Sequence, residues 1–76
     1  MLSLHEAIAI ALLSQTRREA TFEEIASFIE TRSLYLERKA GIPLATQVML
    51  RSTKSGGAYK HLFEKIGNDK IRLRNL

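Results

Sequence analysis

Apolar residues recur through the first fourteen positions at the period of an α-helix. Leu4, Ala7, Ile8, Ala11 and Leu12 fall at i, i+3, i+4, i+7 and i+8, the spacing of one buried helical stripe. Ser3-Leu4-His5-Glu6 stands in front of it, a hydroxyl to cover an orphan amide and a glutamate to reach back. Together these predict a helix over residues 4–14. Ile10 and Leu13 widen its apolar stripe, and residues 15–19 form a polar break with two adjacent arginines, Arg17 and Arg18. Thr21-Phe22-Glu23-Glu24 repeats the capping pattern, and Phe22, Ile25, Ala26 and Ile29 repeat the stripe, predicting a second helix over residues 22–32.

Residues 34–42 read as a connection whose Leu34, Tyr35 and Leu36 are apolar enough to lie against the core. Pro43 suits the first position of a third helix, where its missing amide is no loss. That helix is expected to reach Lys54 and to end at Gly56-Gly57. The period then changes. Residues 63–76 read as a hairpin turning at Gly67-Asn68-Asp69. In Lys70-Ile71-Arg72-Leu73-Arg74 apolar and basic residues alternate, so Ile71 and Leu73 should face inward and the three basic residues outward. The expected fold is mainly α with a small β-hairpin: a winged helix-turn-helix, three helices followed by a two-stranded wing, filling residues 1–76 as a single domain.

Size and composition narrow the picture further. Seventy-six residues, 45% of them hydrophobic, suit one small globular core rather than a disordered tail. No apolar run approaches the roughly 20 residues of a membrane span, and the start of the chain lacks the basic and small-residue pattern of a secretory signal. With no cysteine there is neither a disulfide framework nor thiolate chemistry. A cytoplasmic home, on the nucleoid if the source is bacterial, is the expectation.

The net charge of +4 is unevenly placed. Residues 1–40 carry five basic groups against six glutamates, whereas residues 41–76 carry seven against Glu64 and Asp69. All of the excess positive charge is in the second half, as in a protein with a scaffold half and a polyanion-facing half. Catalysis finds little support. Asp69 sits in a turn, His5 and His61 belong to separate elements, and no nucleophile has both a base and an orienting acid. No metal or cofactor motif is present, so the chain is expected not to be an enzyme.

Binding of double-stranded DNA has more behind it. A projection at about 100° per residue places Ala45, Val48, Met49 and Ser52 on the buried side of the third helix. Gln47, Leu50, Arg51 and Lys54 then lie on the open side, flanked by Thr46 and Thr53. Gln47 and Arg51 can make paired hydrogen bonds to base edges; Thr46 and Lys54 suit phosphates. Lys70, Arg72 and Arg74 would form the wing contact, extended by Lys60, His61 and Lys65. The competing reading is a protein-interaction winged helix that recruits an acidic partner such as the transcription machinery, with Leu50 and residues 34–36 as apolar anchors. Self-association through that segment, giving a weak dimer instead of a monomer, is a third.

The same positions resemble the HARE-HTH domains, a winged-helix family. The resemblance rests on Leu4 with Glu6-Ala7, on Thr21-Phe22-Glu23-Glu24-Ile25-Ala26, on Ser33-Leu34-Tyr35, and on Pro43-Leu44-Ala45-Thr46. It continues in Phe63, Ile66-Gly67 and Ile71-Arg72-Leu73-Arg74. It implies a DNA-linked module of the kind found in chromatin proteins, restriction systems and the delta subunit of bacterial RNA polymerase, often the N-terminal part of something larger. The chain departs from the family pattern at Ser33, where glycine is common, and in the looser Ser55-Gly56-Gly57-Ala58 link.

Overall fold

A computed structural model describes residues 2–36 and 41–74 of the chain. Residues 37–40 of the connection, and 75–76 at the end of the expected second hairpin strand, lie outside the described residues. The element order is α1 (Leu4–Leu13), β1 (Glu19–Thr21), α2 (Phe22–Thr31), α3 (Leu44–Met49), β2 (Phe63–Ile66) and β3 (Lys70–Leu73).

Both capping boxes form. The Ser3 hydroxyl accepts from the Glu6 amide at 3.3 Å while the Ser3 amide donates to Glu6 Oε1 at 2.8 Å. Thr21 and Glu24 make the same exchange at 3.0 and 2.8 Å. Each box satisfies two amides that a helix start would otherwise leave without partners. These bonds, chiefly the one from the backbone amide, hold Glu6 and Glu24 below the ordinary carboxylate pKa.

The second helix ends on a Schellman motif. Leu34 N–H donates to the Ile29 carbonyl and Ser33 N–H to that of Glu30, with Ser33 in the left-handed region at φ 51°. A side chain there costs about 1–2 kcal/mol, partly offset by the greater unfolded-state entropy of glycine. Ser33→Gly should therefore stabilise the fold by about 0.5–1 kcal/mol and raise the melting temperature by several degrees, about 4–8 °C per kcal/mol at this size. An unchanged or lower midpoint in a thermal melt would show that the turn does not depend on that conformation.

The expected two-stranded wing is part of a three-stranded antiparallel sheet in the order β1-β3-β2. The extra strand is Glu19-Ala20-Thr21, paired with Arg72, Ile71 and Lys70. Three residues are too few for a period of two to be legible, and they straddle the end of the polar break at Glu19 and the capping residue Thr21. The pairing changes the status of β3: it is the central strand, with neighbours on both sides. The hairpin turn is also tied down, because the Phe22 amide donates to the Asp69 carbonyl at 2.9 Å.

Ala20, Phe63, Ile71 and Leu73 line the inner face of the sheet and close the core over Ile8 and Leu12 of α1, Ile25 and Ile29 of α2, and Leu44 and Val48 of α3. All five residues of the expected α1 stripe are buried, as are the four of α2. Leu34 and Tyr35 pack against this core as expected, but Leu36 is 66% exposed. Among the described residues no helix is long and apolar enough to cross a membrane.

Candidate nucleic-acid interface

The third helical segment is not uniform. After α3 the backbone widens into a π-helical stretch, Leu50–Lys54, followed by a 3₁₀ turn, Ser55–Gly57. Within the stretch Ser52 Oγ donates to the Val48 carbonyl and Thr53 Oγ1 to that of Met49, both at 2.7 Å. Hydroxyls that occupy i−4 carbonyls compete with the backbone ladder, and the widening coincides with them. The segment still reaches Lys54 and stops at Gly56, as the composition predicts. Pro43 precedes the first helical residue by one place, with an extended ψ of 143°.

The rotation of α3 differs from the projection. Leu44, Gln47, Val48 and Ser52 are buried, while Ala45 and Met49 are half-buried. Leu44 decides this: it is the most apolar residue of the first turn, and once it is buried its i+3, i+4 and i+8 neighbours follow. Gln47 is consequently turned inward, 7% exposed, with Nε2 donating to the Ile42 carbonyl at 3.0 Å. It cannot reach a base edge, and the expectation that it reads DNA is corrected. Gln47→Ala should cost about 1–3 kcal/mol, because the Ile42 carbonyl loses its donor, and leave the base preference of any bound duplex unaltered. A change in preference without loss of stability would contradict this placement.

Two concavities flank the third helical segment. Near its start, Ala45, Thr46 and Met49 face a groove of about 570 Å³ shared with Phe22, Glu23, Lys65, Asn68 and Asp69. Near its end, Ser52, Thr53 and Lys54 share a hollow of about 380 Å³ with Lys60, Phe63, Lys65 and Arg74. The chemistry of the two differs. The first sets Glu23 and Asp69 against one lysine. The second gathers Lys54, Lys60, Lys65 and Arg74, with no carboxylate in its lining.

Local structure places these cations. Lys60 follows Gly57, whose φ of 77° suits glycine, and its stem carbons lie 3.6–4.0 Å from where a Cβ on Gly57 would stand. The preceding Tyr59 is stacked on His5 of α1, ring centroids 4.4 Å apart, which pins the link between α3 and β2 to the core. Arg74 Nε donates to the Lys60 carbonyl at 2.6 Å, joining the far end of β3 to the same link.

Lys70 and Arg72 are elsewhere. They point outward from β3, as alternation predicts, but onto the other face of the sheet and between carboxylates. Lys70 Nζ lies 3.5 Å from Glu19 Oε1. Arg72 donates from Nη2 to Glu64 Oε1 at 2.7 Å, and its Nη1 lies 3.9 Å from Glu19 Oε2. The hydrogen bond first, and the charge of Arg72 second, hold Glu64 below its ordinary pKa; Glu64 in turn raises that of Arg72. Both cations thus cross-link the three strands, a role invisible while Glu19 was assigned to a loop. Arg51 is half-buried and Thr46 sits at the acidic groove.

Of the expected contact residues, the structure therefore brings Lys54, Lys60 and Arg74 together with Lys65 of the expected extension, and adds Thr53 to them. Lys65 sits on the exposed part of a strand with no periodic signal to mark it; only its sign linked it to the others. Comparison with protein-family models, with curated proteins and with solved structures finds no match to this chain.

Proposed function

We propose that this chain is a winged-helix module that binds double-stranded DNA, acting by binding and not by catalysis. The hollow at the end of the third helical segment carries the reading: four cations from four parts of the chain converge there with no carboxylate among them. The order of the elements and the sheet order β1-β3-β2 support the winged-helix layout.

The contact is chiefly with phosphates. Lysines and a threonine hydroxyl supply positioning contacts rather than base recognition, and the start of α3, where a recognition helix ordinarily meets base edges, is flanked by Glu23 and Asp69. Weak sequence preference and strong salt dependence follow. With four phosphates neutralised, the logarithm of the binding constant for a mixed-sequence duplex should fall with log salt at a slope of about −3.6 or steeper. Absence of binding at low salt would overturn the reading.

A second reading, docking of a protein partner, draws on exposed apolar side chains: Leu50 is 42% exposed and Leu36 66%. Binding that persists at high salt would favour it, since apolar contacts are not screened.

A further inference from the structure

The groove near the start of α3 takes no part in the reading above, because its carboxylates repel a polyanion. It encloses about 570 Å³, within the roughly 300–1,000 Å³ of clefts that hold ligands. Its apolar lining comes from Phe22, the first residue of α2, and from Ala45 and Met49 on α3. Its charged lining is Glu23, Asp69 and Lys65.

Local structure brings the two carboxylates to one place. The Phe22 amide donates to the Asp69 carbonyl at 2.9 Å, so the hairpin turn is fastened to the residue just before Glu23. Glu24, the next along, is committed to the capping box, its Oε1 accepting from the Thr21 amide at 2.8 Å. Glu23 and Asp69 are both exposed. Among the described residues neither side chain makes an ion pair, whereas Glu19 and Glu64 are engaged by Lys70 and Arg72.

Two such carboxylates beside open apolar surface are the complement of a cation on an apolar stem. Arginine has that form. Its guanidinium meets a carboxylate through two parallel N–H donors, and its methylene stem lies along apolar surface while the head stays at the rim. Met49 suits the stem, since an unbranched thioether adapts to what it contacts. Duplex DNA and acidic proteins are repelled by the same charges.

Lys65 lines this groove and the lysine hollow alike. Its ammonium therefore opposes a cationic guest in the one and attracts a phosphate in the other.

We propose that this groove docks an arginine-bearing peptide segment of a partner protein. Glu23 and Asp69 hold the guanidinium, and the stem lies against Phe22, Ala45 and Met49. The site is additional to the DNA-binding reading and does not rest on it.

The test is a titration of the isotopically labelled full chain, at low salt, with a blocked pentapeptide, acetyl-Ala-Leu-Arg-Leu-Ala-amide. Amide shifts are expected at Ala45, Thr46, Met49, Asn68 and Asp69. Glu23→Gln and Asp69→Asn should each weaken the peptide by up to about fivefold, the span of an exposed ion pair, with duplex binding no weaker than the parent's. Lys65→Gln should act with opposite signs, tightening the peptide and weakening the duplex. All three positions are exposed, and Asp69→Asn keeps the backbone carbonyl that Phe22 uses, so the melting temperature should stay at the parent's value. The site is overturned if these residues do not shift with about 10 mM peptide, enough to fill about nine-tenths of a site whose dissociation constant is about 1 mM. Parent-like peptide affinity in both carboxylate variants would overturn it equally. Shifts at the same residues on concentrating the chain without peptide would give the groove to a second copy and overturn the partner protein. The peptide arm alone decides the groove and the duplex arm alone decides the hollow, so the two fail separately.

Discussion

Replacing Lys54, Lys60 and Lys65 together by glutamine should weaken duplex binding on the order of a hundredfold at 0.1 M salt. The magnitude follows from counterion release: each neutralised phosphate contributes about 0.9 to the salt slope, a factor of about 8 in affinity at 0.1 M relative to 1 M salt. Three contacts fully lost correspond to about 500-fold, and incomplete engagement of any one lowers that figure. Fold stability should hardly change. Lys54, Lys60 and Lys65 are all exposed, and surface substitutions of this type ordinarily stay within about 0.5 kcal/mol. The loss should be uniform across duplex sequences, because phosphate contacts carry no base information. A variant that binds with the parent's affinity and slope would show that the lysine hollow is not where DNA sits.

The second large effect is structural. Ile71 is fully buried at the centre of β3, paired with Ala20 on one side and Lys65 on the other. Ile71→Ala removes its outer carbons from the buried one of the three β3 positions paired with both edge strands, and a core truncation of this kind costs about 2–5 kcal/mol. A chain of this length has a total stability of about 4–11 kcal/mol, so the variant should lose a large fraction of its urea resistance and stand near unfolding at 37 °C. DNA binding should fall with it, since β3 holds the strand that carries Lys65 and leads into Arg74. A loss below about 1 kcal/mol in a urea melt would mean that Ile71 does not anchor the sheet.

Much of this architecture is legible in residue order. The helices of α1 and α2 announce themselves twice over, by capping boxes and by stripes whose members are all buried. The alternation in β3 correctly divides Ile71 and Leu73 from Lys70, Arg72 and Arg74. Partnership is what linear order does not show. Glu19 could not be recognised as the counter-charge of Lys70 and Arg72 until Glu19-Ala20-Thr21 became a strand beside them. Of a basic row that reads as a free wing contact, Lys70 and Arg72 are in three dimensions paired with carboxylates across the sheet, and only Arg74 reaches the hollow.

The face of α3 departs from the projected one for a different reason. A projection at a fixed angle depends on which residue anchors it, and Leu44 anchors this one. Once Leu44 is buried Gln47 must be as well, and its amide serves the Ile42 carbonyl. From Leu50 onward the π-helical widening changes the angle per residue, so a single projection cannot describe both halves. Lys65 carries only charge as a signal. Its grouping depends on how the hairpin folds back toward the third helical segment, which residue spacing does not encode.

The most direct test of the proposed interface is a titration of the isotopically labelled chain with a mixed-sequence duplex, followed residue by residue through its amide resonances. The account predicts the largest shifts at Thr53, Lys54, Lys60, Lys65 and Arg74. Shifts confined instead to Leu13, Leu36 and the outer face of α1, with the residues of the lysine hollow unmoved, would contradict it.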